Sequence, residues 1–338
     1  MKAVGFKQSH SLDHPEALLD LALPTPEPGP RDLLVEVRAV SVNPVDQWIR
    51  ISSRPEAGEP IVLGMDAAGI VRVTGAEVSL FKPGDRVWYS GSFQRQGSSS
   101  ELHAVDERLV ARMPENMSFA EAAALPLTAI TAWELLFERM ELSRHGAGSG
   151  GSLLVAGAAG GVGSILVQIA RALTNLTVIG TASREESAAW VRAMGAHQVI
   201  DHSKPLAVQL AALGLKEVDY VVSLSNTDRN LGQLIEVLKP RGHFGLIDAS
   251  GSMDLRQFMA KNLSIHYQDM GMVTKSGPAE EYIRHQRILD RIARLVESGV
   301  LRSTVNAHLG KINVANMRRA HEIIESGRSV GKMVLEGF

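Results

Sequence analysis

From residue 152 to residue 268 the apolar positions come in short runs separated by stretches of helical spacing. Leu153-Leu154-Val155-Ala156 is too short for a helix and is bounded by Ser152 and Gly157, which predicts a buried strand. The segment Gly157-Ala158-Ala159-Gly160-Gly161-Val162-Gly163-Ser164 follows, and then Ile165, Leu166, Ile169 and Ala170 fall at helical spacing. The alternation continues with a strand over 176–181, a helix over 185–194 closed by Gly195, and a strand over 198–200. A helix follows Ser203-Lys204-Pro205, with Ser203 as N-cap and Pro205 in the first turn. A strand over 218–224, a helix over 230–238 and strands over 242–248 and 263–268 complete the series. Repeated strand–helix units of this length predict an α/β fold built on a right-handed, doubly wound parallel sheet.

The texture before residue 125 is different. Short apolar runs at 33–41, 69–73, 86–89 and 101–105 are broken by Pro and Gly, which predicts a separate, mostly β domain. A chain of 338 residues, 45% hydrophobic, has the length for two domains and a sizeable core. The uncharged stretch 152–170 is divided by its glycines into strand plus helix, so no membrane span is read. The start, Met1-Lys2-Ala3-Val4-Gly5-Phe6, lacks a signal-peptide apolar region, and there is no cysteine, so cytoplasmic residence is the expectation. Absence of cysteine removes disulfides, thiolate catalysis and cysteine-ligated zinc. A net charge of −2 with mixed signs gives no basic stripe for nucleic acid or anionic lipid; the expected partner is a small-molecule substrate.

A glycine-rich turn between a strand and a helix presents backbone N–H groups and a positive dipole end to a pyrophosphate, the arrangement of a Rossmann dinucleotide site. Against the G-x-G-x-x-G pattern this chain reads Ala158-Ala159-Gly160-Gly161-Val162-Gly163, with the first glycine replaced. Ala159, Gly160, Gly161, Val162 and Gly163 are the candidate phosphate-binding residues, and Gly157 or Gly161 takes the tight turn. NAD sites place an Asp or Glu about 20 residues further on. Here the second strand ends Thr181-Ala182-Ser183-Arg184, where Ser183 donates to and Arg184 grips a 2′-phosphate, pointing to NADPH. The competing reading makes Ser183 a helix cap and Arg184 a solvated charge.

Ser41-Val42-Asn43-Pro44-Val45-Asp46, Leu63-Gly64-Met65-Asp66-Ala67-Ala68-Gly69, Phe81-Lys82-Pro83-Gly84-Asp85-Arg86-Val87, Ala122-Ala123-Ala124-Leu125-Pro126 and Gly331-Lys332-Met333-Val334-Leu335 stand in that order around the glycine turn. In this arrangement the chain resembles the medium-chain dehydrogenase/reductase superfamily over nearly its whole length. The resemblance implies a GroES-like catalytic domain, 1–125 and 272–338, around a Rossmann domain, 126–271. It also implies a dimer, paired through the strand at 263–268.

Zinc alcohol dehydrogenases of this superfamily carry a zinc-binding Cys where this chain has Asn43, a Gly-His-Glu where it has Gly64-Met65-Asp66, and a second Cys near Leu127. The four-cysteine lobe is replaced by Gly91-Ser92-Phe93-Gln94-Arg95-Gln96-Gly97-Ser98. One carboxylate does not make a zinc site, and His10, His14, His103, His145, His197 and His202 show no metal-ligand spacing, so no metal is expected. The chain therefore resembles the zinc-independent quinone oxidoreductase branch, in which Arg184 matches a phosphate-binding Lys or Arg and His202 an adenine-side tyrosine.

Asn43 in the vacated metal position is the candidate for hydrogen bonding a substrate carbonyl, with turn formation before Pro44 as the alternative and an Asp46–Arg50 pair as scaffold. Tyr89 and Thr128 match cleft positions; their alternatives are a packed aromatic and a helix N-cap. Leu224, Ile247 and Asp248 end the later strands and are candidates to line the nicotinamide, Asp248 having a turn cap as its alternative. Together these residues predict NADPH-dependent reduction of a small quinone or α,β-unsaturated carbonyl. A non-catalytic NADPH-binding sensor is the competing class.

Overall fold

In the computed structural model, which describes residues 1–56, 58–142, 150–248 and 251–338, the chain divides at 130/131 and 270/271 into two units. The sequence reading places these divisions at 125/126 and 271/272. His145 lies outside the described residues.

The first unit opens with β1 (Lys2–Phe6), β2 (Leu19–Ala22), β3 (Asp32–Ser41), α1 (Pro44–Ser52), β4 (Ile61–Val62), β5 (Asp66–Thr74), β6 (Arg86–Ser90), β7 (Leu102–Asp106) and β8 (Val110–Arg112). The helices α2 (Phe119–Ala123) and α3 (Pro126–Glu134) follow. β3 is buried along most of its length, and both its edges are paired: β5 runs along one, and β7 takes the first half of the other. The helical stretch 119–139, interrupted at Ala124-Leu125, is long and apolar enough by length and composition to cross a membrane, which the sequence reading does not mark; 89% of its apolar window is buried inside the protein, as in core helices.

The second unit alternates as its apolar pattern requires: β9 (Ser152–Ala156), α4 (Gly161–Leu173), β10 (Thr177–Thr181), α5 (Glu185–Ala193), β11 (Gln198–Ile200), α6 (Leu206–Ala212), β12 (Val218–Ser223), α7 (Thr227–Glu236), β13 (Leu238–Leu246), α8 (Arg256–Met259) and β14 (Ser264–Tyr267). The strands pair parallel in the order β11-β10-β9-β12-β13-β14. The chain therefore steps outward one way from β9 and then the other way from β12, which creates the reversal point where such sheets bind ligands. Two local expectations are corrected. Ser203 does not cap α6; its N–H and hydroxyl both bond Asp201 Oδ1, at 2.9 and 2.7 Å, in a turn of their own. Helix α7 starts at Thr227 rather than 230, after Asn226 in a left-handed conformation (φ 53°), and ends before Leu238, which already belongs to β13.

The chain then returns to the first unit through α9 (Met272–Lys275), α10 (Ile283–Glu297), β15 (Val305–His308), α11 (Val314–Glu325) and β16 (Lys332–Glu336). The larger sheet of that unit reads β15-β16-β3-β5-β6-β8, with β7 also on β3. In this register Ser41 at the end of β3 faces Asp66 of β5 on one side and Val334 of β16 on the other. The ends of three strands distant in sequence thus meet at one place.

Candidate functional site

At that meeting place the first unit holds a buried polar network. The Lys332 ammonium, 3% exposed, donates to Asn43 Oδ1, to Val42 O at 3.0 Å and to Asp66 Oδ2 at 3.4 Å. Asp66 Oδ2 also accepts from the Ser41 hydroxyl at 2.9 Å and from Asn43 Nδ2 at 2.8 Å, while Oδ1 accepts the Leu127 N–H at 2.7 Å. Asp46 Oδ2 accepts the Asn43 N–H at 2.7 Å and so begins α1, with Pro44 at the first helical position. Burial pushes the Asp46 carboxyl up to about 7 and lowers the Lys332 ammonium, which the Asp66 carboxylate opposes.

Four expectations change here. Asn43 is 1% exposed: its amide oxygen is taken by Lys332 and one amide proton by Asp66, so it is a strut of the network rather than a donor facing substrate. Asp46 does not pair with Arg50, whose guanidinium instead binds Glu325 and the His10 carbonyl. Tyr89, 0% exposed, packs in the core of the unit with its hydroxyl 2.9 Å from His103 Nδ1. Since His103 Nε2 faces the Gln96 carbonyl at 2.9 Å, that nitrogen carries the proton, and Tyr89 donates to Nδ1. Burial raises the Tyr89 phenol further, so the side chain reads as a packed aromatic and not as a proton donor to a cleft. Thr128, 2% exposed, lies inside α3 rather than at its cap and donates to Leu125 O at 3.0 Å.

The residues present do not fit zinc. The one carboxylate left at the resemblance's ligand positions, Asp66, has both oxygens engaged, and a lysine ammonium occupies its open side. Among the described residues one group of three potential ligands does come together, at a distance from this network in sequence: His10, His14 and Glu16, with ligand atoms within 4.8 Å. This departs from the expectation that the histidines lack ligand spacing. Its imidazoles stack with centroids 3.8 Å apart, and His14 Nδ1 already accepts the Glu16 N–H at 3.2 Å, which uses that histidine to cap a short turn.

The second unit is open where the first is closed. Gly157 takes the tight turn after β9 with φ +81°, and a Cβ there would meet Ser225 Oγ at 2.8 Å. A Cβ on Gly163 would stand 2.4 Å from Gly157 O, so only glycine lets α4 come this close to the turn. Gly160 is the N-cap of α4, without a side-chain cap, and the first helical bond is Ser164 N–H to Gly160 O at 2.9 Å. The N–H groups of Gly161, Val162 and Gly163 therefore face out of the turn, beside the part-buried Ala159, as a dinucleotide pyrophosphate requires.

Beside this turn lies a cavity of about 230 Å³ at the sheet reversal, lined by Gly157, Thr181, His202, Asn226 and Arg229 among others. Ser183 and Arg184, which follow the lining residue Thr181 in the chain, are exposed; Arg184, not Ser183, is the N-cap residue of α5, and no side chain caps that helix. Leu224, Ile247 and Asp248 follow β12 and β13 at the same carboxyl edge: Leu224 N–H bonds Ala156 O at 3.1 Å and Ile247 N–H bonds Ser223 O at 3.3 Å. Asp248 accepts from Thr227, not from a turn of its own. The pocket itself, with His202 and Arg229 in its wall, has the polar lining to take the adenosine end of a dinucleotide. Sequence reasoning missed Arg229, which lies beyond the left-handed Asn226 in a helix it started too late.

Comparison with known proteins agrees with this two-part architecture. Residues 29–127 match the alcohol dehydrogenase GroES-like domain and residues 194–335 the zinc-binding dehydrogenase domain. A zinc-type alcohol dehydrogenase-like protein of Staphylococcus epidermidis is 38% identical over 99% of both chains. A solved structure from Rhizobium etli CFN 42, labelled a zinc-dependent alcohol dehydrogenase protein, is 48% identical with a TM-score of 0.95, covering 100% of this chain and 98% of that one. Escherichia coli quinone oxidoreductase, solved in complex with NADPH, is 26% identical with a TM-score of 0.83, covering 99% of this chain and 100% of that one. The metal in the first two names has no counterpart in the donor set around Asp66. With both halves and nearly the full length matched, the chain belongs to the medium-chain dehydrogenase/reductase superfamily and is one of its oxidoreductases.

Proposed function

We propose that the protein is an NADPH-dependent oxidoreductase that reduces a small quinone or α,β-unsaturated carbonyl without a metal. The observation that carries this reading is the Lys332–Asp66–Asn43 network, whose polar atoms satisfy one another at the position where zinc enzymes hold their metal. When bound, NADPH supplies a hydride, and a conjugated acceptor takes it at carbon while its oxygen receives charge that hydrogen-bond donors stabilise without a Lewis acid. The chain's own contribution is binding and orientation. Backbone N–H groups of 161–163 hold the pyrophosphate, Ser183 and Arg184 favour a 2′-phosphate because no carboxylate stands at the end of β10, and His202 closes the adenosine side. The NADPH complex of the Escherichia coli relative supports this choice of cofactor. A homodimer through the exposed edge of β14, where Tyr267 is 54% exposed, belongs to the same reading.

The test is NADPH oxidation against a panel of quinones, enones, simple aldehydes and ketones, in the presence of a chelator. Turnover confined to conjugated acceptors and unaffected by chelation is expected; about one zinc per chain by elemental analysis, with activity lost on its removal, would contradict the proposal. The burial of Asn43, Tyr89 and Thr128 favours one second reading, a non-catalytic NADPH-binding sensor. Tight NADPH binding with no turnover across the panel selects it.

A further inference from the structure

The start of α7 and the end of β13 share a chain of hydroxyl groups that the reading above does not use. Ser223, the last residue of β12, is fully buried, and its Oγ lies 2.8 Å from Thr227 Oγ1. Thr227, the first residue of α7, is also buried, and its hydroxyl bonds Asp248 Oδ1. Counting protons fixes the direction. An ionised carboxylate only accepts, so the single Thr227 proton goes to Asp248, and Ser223 must donate to Thr227. Asp248 Oδ1 is thereby held in place, while Oδ2 has no hydrogen-bond partner among the described residues and Asp248 remains part-exposed.

The sheet order says what lies in front of that oxygen. The cavity with His202 and Arg229 covers the ends of β9, β10 and β12, whereas Asp248 follows β13, one strand further on the other side of the β9/β12 reversal. A dinucleotide crossing the carboxyl edge at a reversal point places its two halves on opposite sides of it. Asp248 thus stands on the side away from the adenosine pocket.

We infer that Asp248 is a hydrogen-bond acceptor for the nicotinamide half of the cofactor, taking a ribose hydroxyl or a carboxamide N–H, and that Thr227, backed by Ser223, is its positioning residue. This rests on the NADPH reading. It adds that the nicotinamide end is recognised through a carboxylate whose rotation is fixed by buried hydroxyls. The opposing account is that the hydroxyls only dock α7 on β13.

Two probes separate these accounts: NADPH, and 2′,5′-ADP, which has the adenosine end and no nicotinamide. Dissociation constants are measured calorimetrically for wild type, Thr227→Val, Thr227→Ser and Asp248→Asn, with thermal melts in parallel. Thr227→Val should weaken NADPH about tenfold, the scale of one hydrogen bond to a charged group, and leave 2′,5′-ADP unchanged. Thr227→Ser, which keeps the hydroxyl, should restore NADPH binding. Asp248→Asn should weaken NADPH alone, and it decides the matter if Thr227→Val does not fold. Equal weakening of both probes, or no change in either, overturns the inference while leaving the NADPH reading intact. Failure of the wild type to bind NADPH overturns both.

Discussion

The polar residues of the first unit and those of the second differ in where their hydrogen bonds go. Around β3, β5 and β16, Ser41, Asn43, Asp66 and Lys332 face one another, and nearly all their capacity is used inside the protein. At the carboxyl edge of the second unit, Gly161 and Val162 are part-exposed, Ser183 is exposed, and the exposed His202 lines a cavity. Both regions contain the residue types of an active site. Only the second leaves them available, so the first reads as a substitute for a metal site and the second as a cofactor site.

The sharpest way to break this contrast is to remove the buried cation. Lys332→Met leaves the Asp66 carboxylate without its charge partner, and a loss of about 3–5 kcal/mol in denaturant unfolding is expected, as for other broken buried pairs. Lys332→Met combined with Asp66→Asn should recover much of it. An unchanged midpoint for the single variant would show that the network is not holding the unit together.

Stability against pH tests the buried titratable groups. Burial pushes His103 and His285 down to about 4 and His321 to about 3, the last also opposed by Arg50 and Arg318. A base whose folded value is depressed contributes stability above its ordinary value and loses it as pH falls through the folded one. Asp46, raised to about 7, works the other way: its contribution is full below the ordinary carboxylate value and is lost as pH rises through about 7. Three histidines against one carboxyl predict stability that climbs between about pH 4 and pH 6.5, each net proton contributing about 1.4 kcal/mol per pH unit. Asp46→Asn should make that climb steeper. A flat profile in both proteins would contradict the burial described here.

A smaller effect is expected at Asn43. Asn43→Ala removes partners from Lys332 and Asp66 and should cost about 1–3 kcal/mol of stability while leaving NADPH affinity unchanged. Unchanged stability with a large fall in turnover would instead return Asn43 to substrate contact.

The difference between the regions also decides what the sequence reveals. The β9 turn and α4 are local, so Gly157, Gly163 and the apolar spacing after them can be read in one short window. The closed network is not local. Residues 41–46, 66, 127 and 332 meet through the register of β3 with β5 and β16, which no window contains. The one local hint was a lysine opening the apolar run Met333-Val334-Leu335. Residue type suggested catalytic roles for Asn43, Tyr89 and Thr128 because their neighbours resemble cleft segments, but the face each side chain takes depends on packing that the pattern leaves open. The start of α7 escapes the apolar pattern for a related reason: its first turn, Thr227-Asp228-Arg229, is polar, and it begins where the backbone of Asn226 turns left-handed.

NADPH binding through the end of β10 is the property on which the contrast between the two units turns. The decisive measurement is the pair of dissociation constants for NADPH and NADH, for wild type and Arg184→Ala, at one ionic strength. A charged hydrogen-bonded contact to the 2′-phosphate is worth on the order of 1.5–3 kcal/mol, so the variant should bind NADPH about ten- to a hundredfold more weakly and NADH almost as before. Equal affinity of the wild type for the two cofactors, or a ratio that Arg184→Ala leaves unchanged, would contradict it.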